Sequence, residues 1–392
     1  MSFVGLMIVC VVAFVSPLIS NAVPRIRVPA IVLEILAGIL IGPAVLGWVH
    51  VDEPIRVLSV LGLSFLLFLA GLELDVKLLV GRRLHVTAAG FALSALMAYA
   101  IALVLHAFGM VESTLLVAIC LSATALGVVA SVLKDTGEST SELGQLIIAA
   151  SSIADFGTVL ALSLLFSRES SSTTTKLVLM GGFVVLTVVI VIAMVTARRW
   201  TGVTTMLVRL QDSTAQIRVR GAFLLLVGLV ALAGRLGLEV ILGAFIAGAL
   251  LSVLDHDYAR THPKFHEKLD AIGFGVFIPV FFVTSGLQFD TGALFSSPAT
   301  IARVPIFLLA LLVVRGAPAL LYRPIVGSTR SVVAGLLQAT SLPFIVATTT
   351  IGIDLHELTR PNASALVAAG LLSVVIFPAV AVGLLRRSTP TA

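Results

Sequence analysis

The chain has 392 residues, of which 59% are hydrophobic and 11% are charged, and its mean hydropathy is +1.14. About a quarter of the residues of a soluble protein are charged, and a soluble protein of this size could not bury so much apolar surface. The composition excludes a water-soluble enzyme, a disordered chain and a disulfide scaffold, and it indicates an all-α polytopic membrane protein. The net charge of +5 does not indicate a nucleic-acid partner, because the basic residues lie at the ends of apolar segments.

Thirteen apolar segments are candidates for membrane-spanning helices, each of which needs about 20 residues. In chain order they are 2–20, 28–46, 55–74, 86–109, 113–133, 144–166, 176–197, 219–235, 238–254, 267–287, 299–322, 330–350 and 362–385. A polar connector, 198–218, follows the seventh. Most Lys and Arg residues follow odd-numbered segments, so the positive-inside rule predicts a multi-pass protein of the cell membrane with its N-terminus outside and its C-terminus in the cytoplasm.

Three pairs of segments resemble each other in order along the chain, which predicts an internal repeat. The pairs are Leu33–Gly38 with Leu238–Gly243, Gly71–Asp75 with Gly286–Asp290, and Leu121–Leu126 with Leu337–Leu342. Paired segments lie seven spans apart, an odd number, so the two halves run in opposite directions through the membrane. Such an inverted-topology repeat is typical of secondary transporters. The alternative is the generic Gly, Ala and Leu composition of packed membrane helices.

The third pair predicts two broken helices that cross at the middle of the membrane. Gly127 and Pro343 occupy equivalent positions, and both are poor helix residues. Oxygen ligands near them suit a hard monovalent cation, and the hydroxyls that qualify are those of Ser122, Thr124, Thr340 and Ser341. The alternative is that these hydroxyls bond to the backbone of unbroken helices.

Asp155 lies near the middle of the sixth segment, and Ser152, about one helical turn before it, is a further candidate residue for binding the ion or the proton. A lone aspartate there costs about 2.5–3.5 kcal/mol on insertion scales, so it requires water, a cation or a proton. We expect Asp155 to be either protonated or bound to a cation, although it could also pair only with a helix neighbour. Arg315, in the eleventh segment, is its expected charge partner, as a fixed structural cation or as a partner displaced by the ligand.

Two further carboxylates, Glu34 and Glu239, lie a turn or two inside their spans, where a gating or dimer-interface role is possible beside a plain interfacial position. No histidine has a metal-ligand partner at helical spacing, and no catalytic set, zinc motif or phosphate loop is present. We therefore expect no enzyme activity, no cofactor and no metal other than the transported ion.

The chain resembles the cation/proton antiporter superfamily, in the branch of the Kef-type and bacterial sodium/proton exchangers. The motifs that carry the resemblance are Gly38–Pro43, Phe68–Asp75, Leu121–Ala125 and Phe281–Leu287. The resemblance implies a homodimer in which a mobile core moves the ion site past a scaffold. It assigns scaffold helices to 1–85 and 219–290, core helices to 86–166 and 299–387, and a linking helix with its connector to 176–218.

The function predicted from these features is exchange of a monovalent cation, Na⁺ in the first place or K⁺, for H⁺ at a single aspartate. Because the site has one switchable carboxylate and an always-charged arginine, we expect electroneutral exchange. A second hypothesis is a proton- or sodium-coupled transporter of an organic solute, since Ala154 and Ser341 stand where relatives carry polar or acidic residues. A third, lower-ranked hypothesis is an ion channel or a membrane sensor.

Overall fold

A computed structural model describes residues 3–22, 29–73, 82–166, 181–182, 216–236, 238–255 and 264–388. These residues form helices and connecting turns, with no β-strand among them. Within the same ranges, nine helical stretches are long and apolar enough to cross a membrane, and three shorter apolar helices accompany them. The described chain is therefore all-α and built from membrane-spanning helices, as the composition predicts.

Seventeen α-helices follow one another along the described chain. They are α1 Val4–Ala22, α2 Ala30–Ile41, α3 Glu53–Leu72, α4 Arg82–Ala107, α5 Thr114–Ser122, α6 Leu126–Asp135, α7 Glu142–Leu165, α8 Ile217–Arg235, α9 Val240–Asp255, α10 Lys264–Ile272, α11 Ile278–Leu287, α12 Thr291–Leu294, α13 Pro298–Gly316, α14 Arg323–Val326, α15 Ser328–Gln338, α16 Pro343–Asp354 and α17 Arg360–Ser388. A π-helical turn, Gly273–Phe277, joins α10 to α11, and a 3₁₀ segment, Ala317–Tyr322, joins α13 to α14.

Each predicted span except the seventh overlaps one or more of these helices. The seventh, 176–197, lies outside the described residues apart from 181–182, as does 198–215 of the connector. The predicted count of thirteen spans is therefore not confirmed.

Two compact units make up the chain. The first contains Met1–Ser59, Asp75–Thr158 and Pro279–Ala392, and the second contains Val60–Leu74 and Val159–Ile278. Both broken helices, Asp155 and Arg315 belong to the first unit.

Two glycine crossings show the repeat in the packing of the helices. In the first unit, Gly38 of α2 lies against the backbone of Val283 and Gly286 on α11, where any side chain at Gly38 would collide with the Val283 carbonyl. In the second unit, Gly248 of α9 lies in the same way against the carbonyl of Phe68 on α3.

The reciprocal contacts of these crossings also match. Gly286 approaches Ile35 and Ile39, and Gly71 approaches Phe245 and Ala249. In the helix packing, Gly248 is therefore the repeat counterpart of Gly38. Sequence similarity had instead aligned Gly38 with Gly243. Gly243 serves another contact, against the carbonyl of Leu229 on α8.

The first broken helix is α5 and α6, separated by residues 123–125. Ala123 is extended, with φ −74° and ψ 158°, and Ala125 has φ −96° and ψ 80°. With 9 and 10 residues, each half is too short to cross a hydrocarbon core of about 30 Å. The predicted break residue Gly127 lies inside α6, after the unwound stretch.

The second broken helix is α15 and α16, separated by residues 339–342. Pro343 is the first residue of α16, where its missing N–H costs no hydrogen bond. Leu342 before it has φ −137° and ψ −54°, outside the α-helical region that a following proline disfavours. The proline therefore accounts for this break locally.

Polar side chains tie the outer ends of these helices together. At one end, the Glu112 carboxylate accepts hydrogen bonds from Asn362 Nδ2 at 2.7 Å and from Thr359 Oγ1 at 3.0 Å. At the other end, Arg330 of α15 pairs with Glu138 at 3.3 Å. Each tie links the start of one broken helix to the region where α17 or α7 begins, so the broken helices are anchored to those two helices.

Candidate functional site

The two breaks meet through two hydrogen bonds. The Thr124 hydroxyl donates to the carbonyl oxygen of Gln338 at 2.9 Å, and the amide of Ala125 donates to the carbonyl oxygen of Thr340 at 2.8 Å. These bonds satisfy groups that lose their helical partners at the breaks, which matters because no water is available in the hydrocarbon region. Both unwound stretches are buried.

Helix α17 holds the second break. The amide of Ser341 donates to Ser373 Oγ at 3.1 Å, and that hydroxyl lies 3.1 Å from the carbonyl oxygen of Ser341 and 2.7 Å from that of Gly370. Gly370 allows the close approach, because a Cβ there would lie 3.0 Å from the Ser341 carbonyl oxygen. The backbone of the second break is thus fixed from a neighbouring helix.

Arg315 reaches the first break from α13. Its side chain is 1% exposed, Nε donates to Thr124 Oγ1 at 2.9 Å, and Nη1 donates to Ser94 Oγ of α4 at 3.2 Å. Arg315 lies in the last turn of α13, directly before the 3₁₀ segment that continues it. The close approach of Gly316 and Gly335, where a Cβ at Gly335 would lie 2.9 Å from the Gly316 carbonyl oxygen, brings this turn against α15.

Asp155 lies on α7 and is 8% exposed. Its carboxylate interacts electrostatically with the Arg315 guanidinium. Nε and Nη1 of Arg315 already donate hydrogen bonds to hydroxyl groups, whereas Nη2 makes no hydrogen bond within the described residues. One edge of the guanidinium is therefore available while the other is anchored to the crossing.

The other predicted ligands differ in how their hydroxyls are used. Ser122 Oγ donates to the Ala118 carbonyl at 2.8 Å and Thr340 Oγ1 to the Leu336 carbonyl at 3.2 Å, the backbone bonding expected in the alternative interpretation, although their helices are broken. The hydroxyl of Ser341 is buried and makes no hydrogen bond to the described part of the chain. Ser152 is buried on α7 at 2% exposure.

Glu34 and Glu239 are buried within the chain, at 5% and 3% exposure. Glu34 lies within α2 in the first unit, and Glu239 directly precedes α9 in the second. Neither position tests the gating or dimer-interface role, which stays a prediction.

Sequence reasoning missed three residues at the crossing. They are Ser94, Gln338 and Ser373. Gln338 offered a signal, because an amide side chain within an apolar span next to a predicted break requires a polar partner. The serines offered none, since many serines in these spans bond to their own helix.

The family profile described as "Sodium/hydrogen exchanger, transmembrane" matches residues 10–387. The chain is 30% identical over 396 residues to a putative Na⁺/H⁺ antiporter, YjbQ, of Bacillus subtilis, covering 96% of this chain and 62% of that protein. It is 27% identical over 294 residues to a Na⁺/H⁺ antiporter of Enterococcus hirae, covering 74% of each.

The fold is similar to that of a solved structure, the sodium proton antiporter MjNhaP1 from Methanocaldococcus jannaschii at pH 8. The TM-score is 0.68, the sequence identity is 16%, and 97% of each chain is covered. At this identity the likeness concerns the fold alone, and it agrees with the antiporter-like architecture that the family resemblance implies.

Proposed function

We propose, from the premise that the chain belongs to the transmembrane sodium/hydrogen exchanger family, that it exchanges Na⁺, or K⁺, for H⁺ at Asp155. Its named relatives are antiporters, so the chain is a multi-pass membrane transporter and not an enzyme. The chain spans 62% of the length of the Bacillus subtilis relative.

The observation that supports this function is a buried carboxylate that interacts electrostatically with a buried, anchored guanidinium beside two broken helices. Asp155 and Arg315 are 8% and 1% exposed. An ionised carboxylate in such surroundings requires a positive partner. Arg315 serves when the site is empty, and a proton or a cation replaces it when the site is occupied.

Mutual exclusion at Asp155 produces the coupling. A proton and a monovalent cation cannot both neutralise one carboxylate, so each expels the other as the site faces alternate sides of the membrane. Neutral oxygen atoms, which suit a hard cation, lie close to the crossing at Thr124, Thr340 and Ser341. Since one proton replaces one cation, exchange is electroneutral.

We also propose which segments of the chain move during transport. We assign the core to 86–166 and 299–387, the scaffold to 1–85 and 219–290, and the linking helix and connector to 176–218. The ties at Glu112 and Glu138 support a core that moves as one body, as an elevator. The homodimer, the surrounding lipid and the orientation with a cytoplasmic C-terminus belong to the same proposal.

The test is Asp155→Asn in inside-out vesicles, with proton flux followed by a pH-sensitive dye after addition of Na⁺, K⁺ or Li⁺. We expect no cation-driven proton flux, because an amide neither releases a proton nor balances a cation. Asp354→Asn is the matched control, since Asp354 is exposed at the end of α16, and it should transport normally.

Two outcomes contradict the proposal. Exchange that persists in Asp155→Asn removes the carboxylate from the mechanism. Wild-type protein that ignores all three cation gradients points instead to an organic solute. In proteoliposomes, an imposed membrane potential should leave the flux nearly unchanged, and a strong response contradicts the electroneutral stoichiometry.

A further inference from the structure

Helix α4 has two different sides near the crossing. Leu93 and Leu96 are exposed and form an apolar side that faces away from the protein. The other side carries buried small residues at every fourth position, and these are Gly90, Ser94, Ala98 and Ala102. Residues four apart share one face of a helix, and small side chains allow close packing of membrane helices. Ser94 is the polar member of this row.

The hydroxyl of Ser94 is bonded to another helix. Buried serines in apolar helices commonly donate to the carbonyl four residues earlier, as Ser64 Oγ does to the Val60 carbonyl at 2.9 Å. Ser94 Oγ instead accepts a hydrogen bond from Arg315 Nη1 of α13 at 3.2 Å. Ser94 is 0% exposed. The hydroxyl therefore belongs to the surroundings of the arginine and not to the backbone of α4.

The three nitrogens of the Arg315 guanidinium are bonded differently. Nε and Nη1 donate to the hydroxyls of Thr124 and Ser94, whereas Nη2 has no hydrogen-bond partner in the described part of the chain. The guanidinium thus interacts with Asp155 electrostatically, while its hydrogen bonds go to two neutral hydroxyls. A charge-assisted hydrogen bond is about twice as strong as a neutral one, so a direct bond to the arginine would occupy the carboxylate that has to bind the ion.

We propose that Ser94 is a positioning residue: together with Thr124 it holds the Arg315 guanidinium as a fixed charge, so that Arg315 does not hydrogen-bond to Asp155 and the carboxylate stays available to the transported cation. The inference rests on the proposed function of Asp155. Ser94 is not a ligand of the ion. It acts through Arg315, by setting how strongly the arginine competes with the cation for the carboxylate of the empty site.

Removal of the Ser94 hydroxyl leaves Nη1 as well as Nη2 without an acceptor. A buried donor without an acceptor is costly, and Asp155 is the carboxylate that already attracts the guanidinium. The guanidinium keeps its Nε bond to Thr124 and turns its free end toward Asp155. The cation then has to displace a hydrogen-bonded arginine, so its apparent affinity falls.

The experiment compares Ser94→Ala with Ser64→Ala, a matched control that also removes one buried hydroxyl but one bonded to its own helix. Na⁺-driven proton flux in inside-out vesicles gives KM and the maximal rate. For Ser94→Ala we expect KM for Na⁺ to rise about three- to tenfold, the equilibrium factor of one ordinary hydrogen bond, with the maximal rate within about twofold. Ser64→Ala should change neither.

Two further variants show whether Ser94 acts through the arginine. Ser94→Cys fills nearly the same space but is only a weak acceptor, so KM should rise as in Ser94→Ala. Effects of independent sites multiply in KM. Because Ser94 and Thr124 hold the same guanidinium, the double variant Ser94→Ala/Thr124→Val should raise KM by less than the product of the two single effects.

A measurement that does not depend on turnover is thermal stabilisation by Na⁺ in detergent, whose half-maximal Na⁺ concentration should rise by the same factor in Ser94→Ala. A wild-type KM in Ser94→Ala and Ser94→Cys overturns the inference, as does a lower maximal rate with unchanged KM. A double-variant effect equal to the product also overturns it. If Asp155→Asn keeps exchanging ions, the proposed function fails. If Asp155→Asn is inactive and Ser94→Ala has a wild-type KM, this inference fails alone.

Discussion

The two broken helices have similar backbones but different chemistry around them. At the first break, the hydroxyl of Thr124 lies between the charged Arg315 and a carbonyl of the second break. At the second break, Ser341 is held through its backbone by the neutral hydroxyl of Ser373. Thr124 of the first break is therefore hydrogen-bonded to a charged side chain, whereas Ser341 of the second break is hydrogen-bonded to a neutral side chain of α17.

If Asp155 is the ion site, as proposed, this difference explains why only one half of the duplicated fold carries the ion-binding carboxylate. Helix α7 contributes Asp155, and its repeat counterpart α17 contributes Ser373. Helix α13 contributes Arg315, and its counterpart α4 contributes Ser94. In each pair one copy carries the charge and the other a hydroxyl that supports the backbone or the charged group. The repeat accounts for the crossing of the two broken helices, and the differences between its two copies account for the charged groups beside that crossing.

Arg315→Met should produce the largest effect on this comparison. It removes the charge from the first break and leaves Asp155 buried beside neutral groups, which costs on the order of 3–5 kcal/mol for a broken buried pair. We expect a strongly lowered melting temperature in detergent and a loss of cation-driven proton flux of at least about tenfold, since the carboxylate now favours its protonated form.

Arg303→Met is the matched control on the same helix. Arg303 is half-buried and donates to Asn362 Oδ1 at 2.6 Å, so its loss should cost about 1 kcal/mol and leave transport intact. Arg315→Lys keeps the charge but cannot reach both Thr124 and Ser94 with one fork, and it should fold with altered cation affinity or pH dependence. Equal damage in Arg315→Met and Arg303→Met would show that Arg315 has only a structural role.

Thr124→Val and Ser373→Ala compare the two breaks directly. Each removes one buried hydroxyl and should lower the free energy of unfolding by about 1–3 kcal/mol. Only Thr124→Val releases Nε of Arg315, so only this variant should raise KM for the cation, by several-fold. Thermal melting and the cation dependence of flux measure the two effects separately. A change in KM as large in Ser373→Ala would mean that the breaks do not differ in this way.

The sequence was sufficient to predict the breaks, though not for the same reason at each. Pro343 starts α16, so the second break follows from a local rule that any reader of the sequence can apply. Residues 123–125 contain no proline or glycine, and their unwound backbone is held by Thr124 and Ala125 bonding to the other half of the chain. Only the repeat made the first break predictable.

The register of the repeat and the support of the arginine were beyond sequence reasoning. Sequence similarity aligns Gly38 with Gly243, whereas the helix packing makes Gly248 the repeat counterpart of Gly38. The position of a glycine at a close helix contact depends on the backbone that it packs against and not on the residues next to it in the chain. Ser94 supports Arg315 from a distant part of the chain. The Asp155 and Arg315 charges stood out because charged residues inside a span are costly, whereas a serine there is not.

Gly127→Ala should have the smallest effect, and it separates the two explanations of the first break. A Cβ at Gly127 meets no atom within 4 Å, and the residue is helical. Alanine should therefore stabilise α6 by about 0.5–1 kcal/mol, with transport unchanged, if the bonds at residues 123–125 set the break. Loss of transport together with a normal melting temperature would mean that flexibility at Gly127 is needed. The first break would then depend on a weak helix residue, as the second depends on Pro343, and the contrast between a break held by contacts and a break set by local sequence would disappear.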